Sequence, residues 1–429
     1  MKNRQYVQAL AVKGLSVAAL FGVQVLIAHK STDRSEFGFY NYLISILNLA
    51  SFIAIWGLDK FLVREVSVHA DEKQAGKAWS LIGGANRVIV LNLILAGPIL
   101  AAFFRLMRPD RFSWGLVCAV WALLAAMCFA RSSAAVVRGM QRVIASEAIL
   151  NFLRPLALGL GVLVFASMSG PLETESILLL AAAAFAFSAV VTSTVSRKTV
   201  APVAVKQAVD KTKVRQLYRT CFPFLLIGVG LPLLSNLDVI LLGSLGNDDQ
   251  VGLYSACVRL ITLTTVGLTS VNLLIAPRLP ILFRQGKFDE MQAIVRRNNI
   301  VILLLTTIPV IILITAGGFV LSIFGEEYAV GEDVLHILLI GQVINVFVGP
   351  VNLICMMAQQ HRLASIMTIS ACVIEAALCY ILIPSHGVHG AAWANVAAIS
   401  FLSIALSVIV VRKVRVNPTL TNTLSAKRP

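Results

Sequence analysis

Residues 298–322 read NNIVILLLTTIPVIILITAGGFVLS, a run with no ionisable side chain. A helix of about 20 residues crosses a hydrocarbon layer of ~30 Å, so this run spans a membrane with residues to spare. Its flanks differ. Residues 277–297 carry five Lys and Arg, and residues 323–332 carry none. Outward from this stretch the same texture recurs. The 429-residue chain is 58% hydrophobic and 13% charged, whereas soluble domains are nearer 45–50% apolar and about 25% charged. The excess lies in repeated stretches of spanning length, and helices are the expected form because lipid cannot satisfy open strand edges.

Twelve spans can be placed, at roughly 7–28, 39–62, 79–104, 113–137, 146–167, 175–196, 220–243, 251–276, 298–322, 333–357, 363–383 and 390–411. Lys2 and Arg4 precede the first, which is too long for a signal-peptide apolar core and reads as an uncleaved span. The alternate connections on the side of the termini hold 25 Lys and Arg, and those on the other side hold 5. That asymmetry places both termini in the cytoplasm. It also accounts for the net charge of +15 without nucleic acid as a partner. Arg105, Arg108 and Arg111 run against the trend.

The expected fold is an all-α membrane protein of about 12 transmembrane helices in two six-helix bundles. The domains are 1–197, a basic linker 198–219, a second bundle 220–411, and a polar tail 412–429 expected to be disordered. Phe37-Gly38-Phe39-Tyr40 opens span 2, and Val251-Gly252-Leu253-Tyr254 opens span 8, 214 residues on. Residues 141–146 and 361–365 match at a similar offset. A duplicated unit with an even number of spans gives a parallel internal repeat.

Charges inside spans are costly and mark function or pairing. They are Lys13, Lys60, Arg87, Arg131, Arg154, Asp238, Arg259 and Glu375. Lys13, Lys60 and Arg131 lie near span ends, within snorkelling reach. Arg259 heads a polar stripe of Thr262, Thr265, Thr269 and Asn272 within about 140° of one helix face. Span 2 carries Asn41, Ser45, Asn48 and Asp59, and span 1 carries Lys13, Ser16 and Gln24. Spans 1, 2 and 8 are therefore expected to line a polar cavity, with interhelical hydrogen bonding as the plainer reading. Asp238 is placed to pair with Arg259, and Glu375 is a candidate coupling carboxylate, alone or paired with an arginine of another span. Gly228 to Pro232 is the densest helix-weakening run, a candidate hinge.

Seven cysteines lie in apolar stretches without ligand spacing, so no disulfide or metal site is expected. No phosphate-binding loop, nucleophile elbow or dinucleotide fingerprint occurs, so neither a cofactor nor an enzymatic role is expected.

Several motifs occur in order: Glu36-Phe37-Gly38-Phe39-Tyr40, Phe222-Pro223-Phe224, Asp238-Val239-Ile240-Leu241-Leu242-Gly243, Val251-Gly252-Leu253-Tyr254-Ser255-Ala256, Ala276-Pro277-Arg278-Leu279-Pro280, Phe324-Gly325-Glu326-Glu327-Tyr328, and Ile383-Pro384 before Gly387-Val388-His389-Gly390. Together they resemble the Wzx-type polysaccharide flippases of the multidrug/oligosaccharidyl-lipid/polysaccharide superfamily. The resemblance implies a central cationic cavity and alternating access in a bacterial inner membrane. It implies an undecaprenyl-pyrophosphate-linked oligosaccharide as substrate, moved from the inner to the outer leaflet. It implies a polysaccharide polymerase and a chain-length regulator as partners beside membrane lipids. Arg259 is similar to a basic position in span 8 of the related lipid II flippases, and span 1 offers Lys13 where those proteins use arginine. The candidate cavity cations are thus Arg259, Arg87, Arg154, Lys13 and Arg131, and the polar lining is Asn41, Asn48, Gln24, Thr262 and Asn272. Asp238 and Glu375 are the coupling candidates.

Two alternatives stand. A drug or cation antiporter of the same superfamily would favour acids in its cavity, whereas six Lys and Arg lie within spans. A membrane glycosyltransferase or polymerase would need a large extramembrane loop, and the longest connection here is 197–219.

Overall fold

The computed structural model describes residues 2–71, 75–200, 212–275, 279–358, 360–414 and 416–419. Among them the chain is almost entirely helical, with one isolated bridge between Ser31 and Leu172. Among the described residues ten helices are long and apolar enough to cross a membrane, or eleven when a bent pair is taken as one. One of the ten covers 54 residues, His361–Val414, about twice the length a crossing needs. It bends at Gly387, whose φ of 53° is open to glycine and strained for other residues.

The chain forms two compact units, Val7–Pro232 and Leu233–Pro429 together with Met1–Tyr6. The division falls at the end of the Gly228 to Pro232 run. The basic linker expected to separate the bundles is described only at its ends, because residues 201–211 lie outside the described residues.

In the first unit the helices are α1 (Lys2–Lys30), α2 (Arg34–Ile55), α3 (Leu58–Asp71), α4 (Ala75–Met107), α5 (Trp114–Gly139), α6 (Val143–Ala148), α7 (Arg154–Ser169), α8 (Thr174–Val200) and α9 (Thr212–Leu234). Asp33 caps α2 by accepting from Glu36 N at 2.8 Å, and Ser113 caps α5 by accepting from Leu116 N at 2.9 Å. The central helix is α5, packed on α8, α3, α4 and α2. Its buried Ala119, Ala130, Ala134 and Ala135 allow the close approach that membrane helices rely on.

Span 2 is shorter than the sequence suggested. Trp56 and Gly57 both take positive φ, 56° and 75°, and end α2. A Cβ at position 57 would lie 2.6 Å from Leu225 N and 2.7 Å from Cys221 O, so only glycine lets α9 sit against this turn. Asp59 consequently belongs to α3, off the polar face of α2 on which it was expected. Trp56 Nε1 donates to Tyr218 O, Tyr218 OH to Asn92 Oδ1, and Asn92 Nδ2 to Ala54 O, a closed set joining α2, α4 and α9.

The second unit holds α10 (Leu237–Leu245), α11 (Asp248–Ile275), α12 (Leu279–Arg284), α13 (Phe288–Thr315), α14 (Gly317–Leu321), α15 (Glu332–Val348), α16 (Val351–Met357) and α17 (His361–Ile409). Here α17 packs on α15, α10 and α16, and α11 on α13. Span 7 is broken. Its first part bends by 45° between Val214–Leu226 and Gly228–Leu234, and α10 begins after Ser235 and Asn236. Span 10 is interrupted by Gly349 and Pro350. Of the tail expected to be disordered, residues 412–414 and 416–419 are described, with Val414 and Val416 fully buried. Residues 420–429 lie outside the described residues.

Candidate functional site

In the first unit, two of the expected cations meet interior groups. Arg131, on α5, donates from Nη2 to Asn48 Oδ1 of α2 at 3.0 Å, and its guanidinium lies 4.3 Å from the Phe52 ring centroid. Its Nη1 is buried and has no hydrogen-bond partner. Arg154 opens α7, after a π-helical segment Ile149–Leu153 and before Pro155. Such π turns are common at functional positions because they re-aim the side chains that follow. Its guanidinium lies 4.3 Å from the Phe185 ring centroid of α8, with Tyr40 and Arg131 within electrostatic reach. Neither arginine has a carboxylate within salt-bridge distance among the described residues. Asp59 attracts Arg131 from beyond salt-bridge distance, and the aromatic faces add cation–π attraction for both.

The other candidates of this unit are placed differently. Arg87 is exposed on α4, beside an apolar hollow lined by Asn86, Val90, Leu91 and Val214, and does not join Arg131 and Arg154. Lys13 is half-buried on α1. Gln24 is buried with Oε1 unpartnered. Asn41 is buried and donates to Phe37 O of its own helix at 2.8 Å, a local bond of the kind common in membrane helices.

In the second unit the geometry gathers acids. Tyr254 OH donates to Asp238 Oδ2 at 2.7 Å, and Asn395 Nδ2 donates at 3.1 Å both to Asp238 Oδ2 and to Glu375 Oε1. The backbone N–H of Val239 reaches Asp238 Oδ1 at 2.8 Å. Asp238 is 3% exposed and Glu375 0%. Glu375 Oε2 is buried with no hydrogen-bond partner. The kink at Gly387 folds the two arms of α17 together and so brings residues 375 and 395 side by side. The ion pair expected between Asp238 and Arg259 is replaced by this Tyr254 and Asn395 arrangement. Glu375, expected to act alone or with an arginine, has Asp238 and Asn395 as neighbours. Sequence reading missed Tyr254, although it closes the Val251-Gly252-Leu253-Tyr254 motif, and Asn395, an amide inside span 12.

Arg259 is half-buried on α11. Along its stripe, Thr262, Thr265 and Thr269 donate to carbonyls of their own helix, at 2.9, 2.7 and 3.1 Å. Their oxygens remain able to accept. Asn272 Oδ1 is buried and unpartnered.

The arginines that ran against the charge asymmetry are engaged locally. Arg111 pairs with Glu36, which also accepts from Thr174 N at 2.9 Å. Arg108 lies 5.3 and 5.5 Å from the Phe39 and Tyr42 ring centroids.

Against known families, the polysaccharide biosynthesis protein family matches residues 10–282, well over half of the chain. The chain belongs to that family. The MatE family also matches residues 223–381. No curated protein sequence matches this family member. Its fold is similar to an inward-facing multidrug resistance MATE family transporter of the MOP superfamily, with a TM-score of 0.74 at 12% identity, covering 99% of this chain and 100% of that one. It is also similar to the lipid II flippase MurJ in an inward closed conformation, with a TM-score of 0.71 at 12% identity over 97% and 89% of the two chains. A third similar structure is a MOP superfamily transporter from Pyrococcus furiosus, with a TM-score of 0.64 at 14% identity over 94% and 93%. At these identities the likeness concerns the fold. This family member is a multi-pass membrane protein with the helical architecture of those transporters.

Proposed function

We propose that the protein is a flippase of the bacterial inner membrane. It moves undecaprenyl-pyrophosphate-linked oligosaccharides from the cytoplasmic to the periplasmic leaflet by alternating access, for O-antigen or exopolysaccharide synthesis. The observation that carries this reading is the pair Arg131 and Arg154. Two guanidinium groups are held among helices, each on an aromatic face and neither in a salt bridge among the described residues, with Asp59 attracting Arg131 only from beyond that distance. A charge in such a place costs several kcal/mol unless compensated, and Arg131 Nη1 still has a hydrogen to donate. A pyrophosphate offers oxygens for charge-assisted bonds, and guanidinium is the group that binds them in forked pairs. The sugars need a wet polar path, for which Asn48, Gln24, Lys13, Arg259, Thr262 and Asn272 are the proposed lining. The polyprenyl chain stays in lipid.

The two helical units are proposed as the two bundles of the transport cycle, with both termini cytoplasmic. Asp238 and Glu375 are proposed as the coupling groups. Asn395 bridges one oxygen of each, and Glu375 Oε2 lacks a donor, so a proton or a small cation completes the cluster. A polymerase and a chain-length regulator are the proposed partners on the product side.

A second reading, an ion-coupled drug or cation antiporter, is favoured by the MatE match over residues 223–381 and by the same carboxyl pair. Cells test the two. In a strain lacking its own flippase, the protein restores surface polysaccharide, and Arg131→Ala, Arg154→Ala and Arg259→Ala each abolish it at normal membrane levels. Full polysaccharide in all three variants would remove these arginines from the site, and ethidium efflux in place of polysaccharide would support the antiporter.

A further inference from the structure

Past its last long helix the chain turns back onto its own unit. From α17 it continues as a π-helical segment, Val410–Val414. Val410, Val414 and Val416 are fully buried in one cluster with Leu279, Met291, Val295, Ile354 and Cys355. Polar contacts then fix the register. The carboxamide of Gln292 on α13 pairs with the Asn417 backbone in both directions. Asn417 N donates to Gln292 Oε1 at 2.6 Å, and Gln292 Nε2 donates to Asn417 O at 2.8 Å. About two turns along the same helix, Asn299 Nδ2 donates to Pro418 O at 2.6 Å. The N–H and hydroxyl of Thr419 both donate to Asn417 Oδ1, at 3.1 and 2.7 Å, closing a tight turn.

The opposite side is as specific. Gly349 lies in the break between α15 and α16 at φ +82°, and a Cβ there would sit 2.5 Å from Pro418 O. The Pro418 carbonyl is therefore seated between Asn299 and a position that only glycine can fill. Extended backbone needs partners for its N–H and C=O groups wherever water is scarce, and here two side-chain amides of one helix supply them. The segment touches three elements at once: α13, the Gly349–Pro350 break, and the end of α17.

We infer that Val414 and residues 416–419 form a strap that fastens these three elements into one rigid body, and that transport requires the strap seated. The break in span 10 would otherwise be a free joint. The requirement for transport rests on the flippase reading above, whereas the fastening does not.

Hydrogen exchange of the protein in lipid nanodiscs tests the fastening without any substrate. The Asn417 amide should exchange slowly, and Gln292→Ala should speed it about tenfold or more. Fast exchange in the unaltered protein would overturn the strap. The second arm uses Gln292→Cys with Asn417→Cys in oxidised proteoliposomes. The probe is a fluorescent undecaprenyl-pyrophosphate-linked N-acetylglucosamine, and its transport should persist with the strap locked. Loss of transport that a reductant restores would show a latch that must open, and would overturn the fastener. Ending the chain at residue 419 should preserve transport, and ending it at residue 413 should remove it. Full transport by the shorter chain would refute the requirement. Should the unaltered protein fail to move the probe while Asn417 stays protected, the function reading falls and the fastening stands.

Discussion

Arg131, Arg154, Asp238 and Glu375 share one physical difficulty, charge among apolar helices, and meet it in different ways. The arginines lie on Phe52 and Phe185, and the acids are bridged by Asn395. Removing the bridge is the informative change. Asn395→Leu removes the donor of Glu375 Oε1 while Asp238 keeps Tyr254 and Val239, a loss of about 1–3 kcal/mol for the unsatisfied Glu375. We expect transport driven by a pH or sodium gradient to fall at least tenfold in vesicles while Arg131-dependent substrate binding persists. Glu375→Gln should abolish the gradient dependence, and gradient-driven transport at the unaltered rate would exclude Glu375 from coupling. These acids were individually visible in the sequence, because an ionisable residue in a span stands out. Their grouping was not, since Asp238 and Asn395 are 157 positions apart and meet only through the fold. The same distance effect hid the pairing of Arg111 with Glu36, 75 positions away in the chain.

Helix ends, more than helix interiors, separate the reading of the sequence from the structure. Apolar length located the spans well, because the hydrophobic requirement acts over about 20 residues at once. Breaks depend on one or two residues. Trp56 carries no turn signal, yet it takes φ 56° because Gly57 beside it must admit the α9 backbone. A pair of substitutions separates the two contributions. Gly170 has φ +81° with nothing within 4 Å of a Cβ, so Gly170→Ala measures backbone strain alone, about 1–3 kcal/mol. Gly57→Ala adds an overlap with Leu225 N and Cys221 O, and should lower the unfolding midpoint in detergent clearly further. Equal midpoints for the two variants would mean that α9 does not pack against this turn. The tail was misread for a related reason. Its composition is polar and basic, which suggests disorder, but the alternate Val414 and Val416 and the two amides of α13 give it a docking site.

At the scale of the molecule, the duplicated motif and the helix starts agree. α2 and α11 begin at Arg34 and Asp248, the same 214-residue offset that separates their motifs, and both present a buried tyrosine six residues in, Tyr40 and Tyr254. That regularity, with the charge asymmetry, made the helical class and the family legible before any coordinates. The division of the chain at Pro232 was less so, because span 7 is one apolar stretch whose first part packs with the first unit. Arginines held on aromatic faces inside a helical bundle, without a salt bridge among the described residues, are proposed to receive a lipid-borne pyrophosphate. The most direct measurement is transport of a fluorescent undecaprenyl-pyrophosphate-linked sugar across proteoliposome membranes, comparing the unaltered protein with Arg131→Ala/Arg154→Ala and with the exposed Arg87→Ala. Each lost charge-assisted bond is worth about 1.5–3 kcal/mol, so the double variant should lose at least a hundredfold. Arg87→Ala should stay within about twofold, as surface changes generally do. Undiminished transport by the double variant would contradict the account.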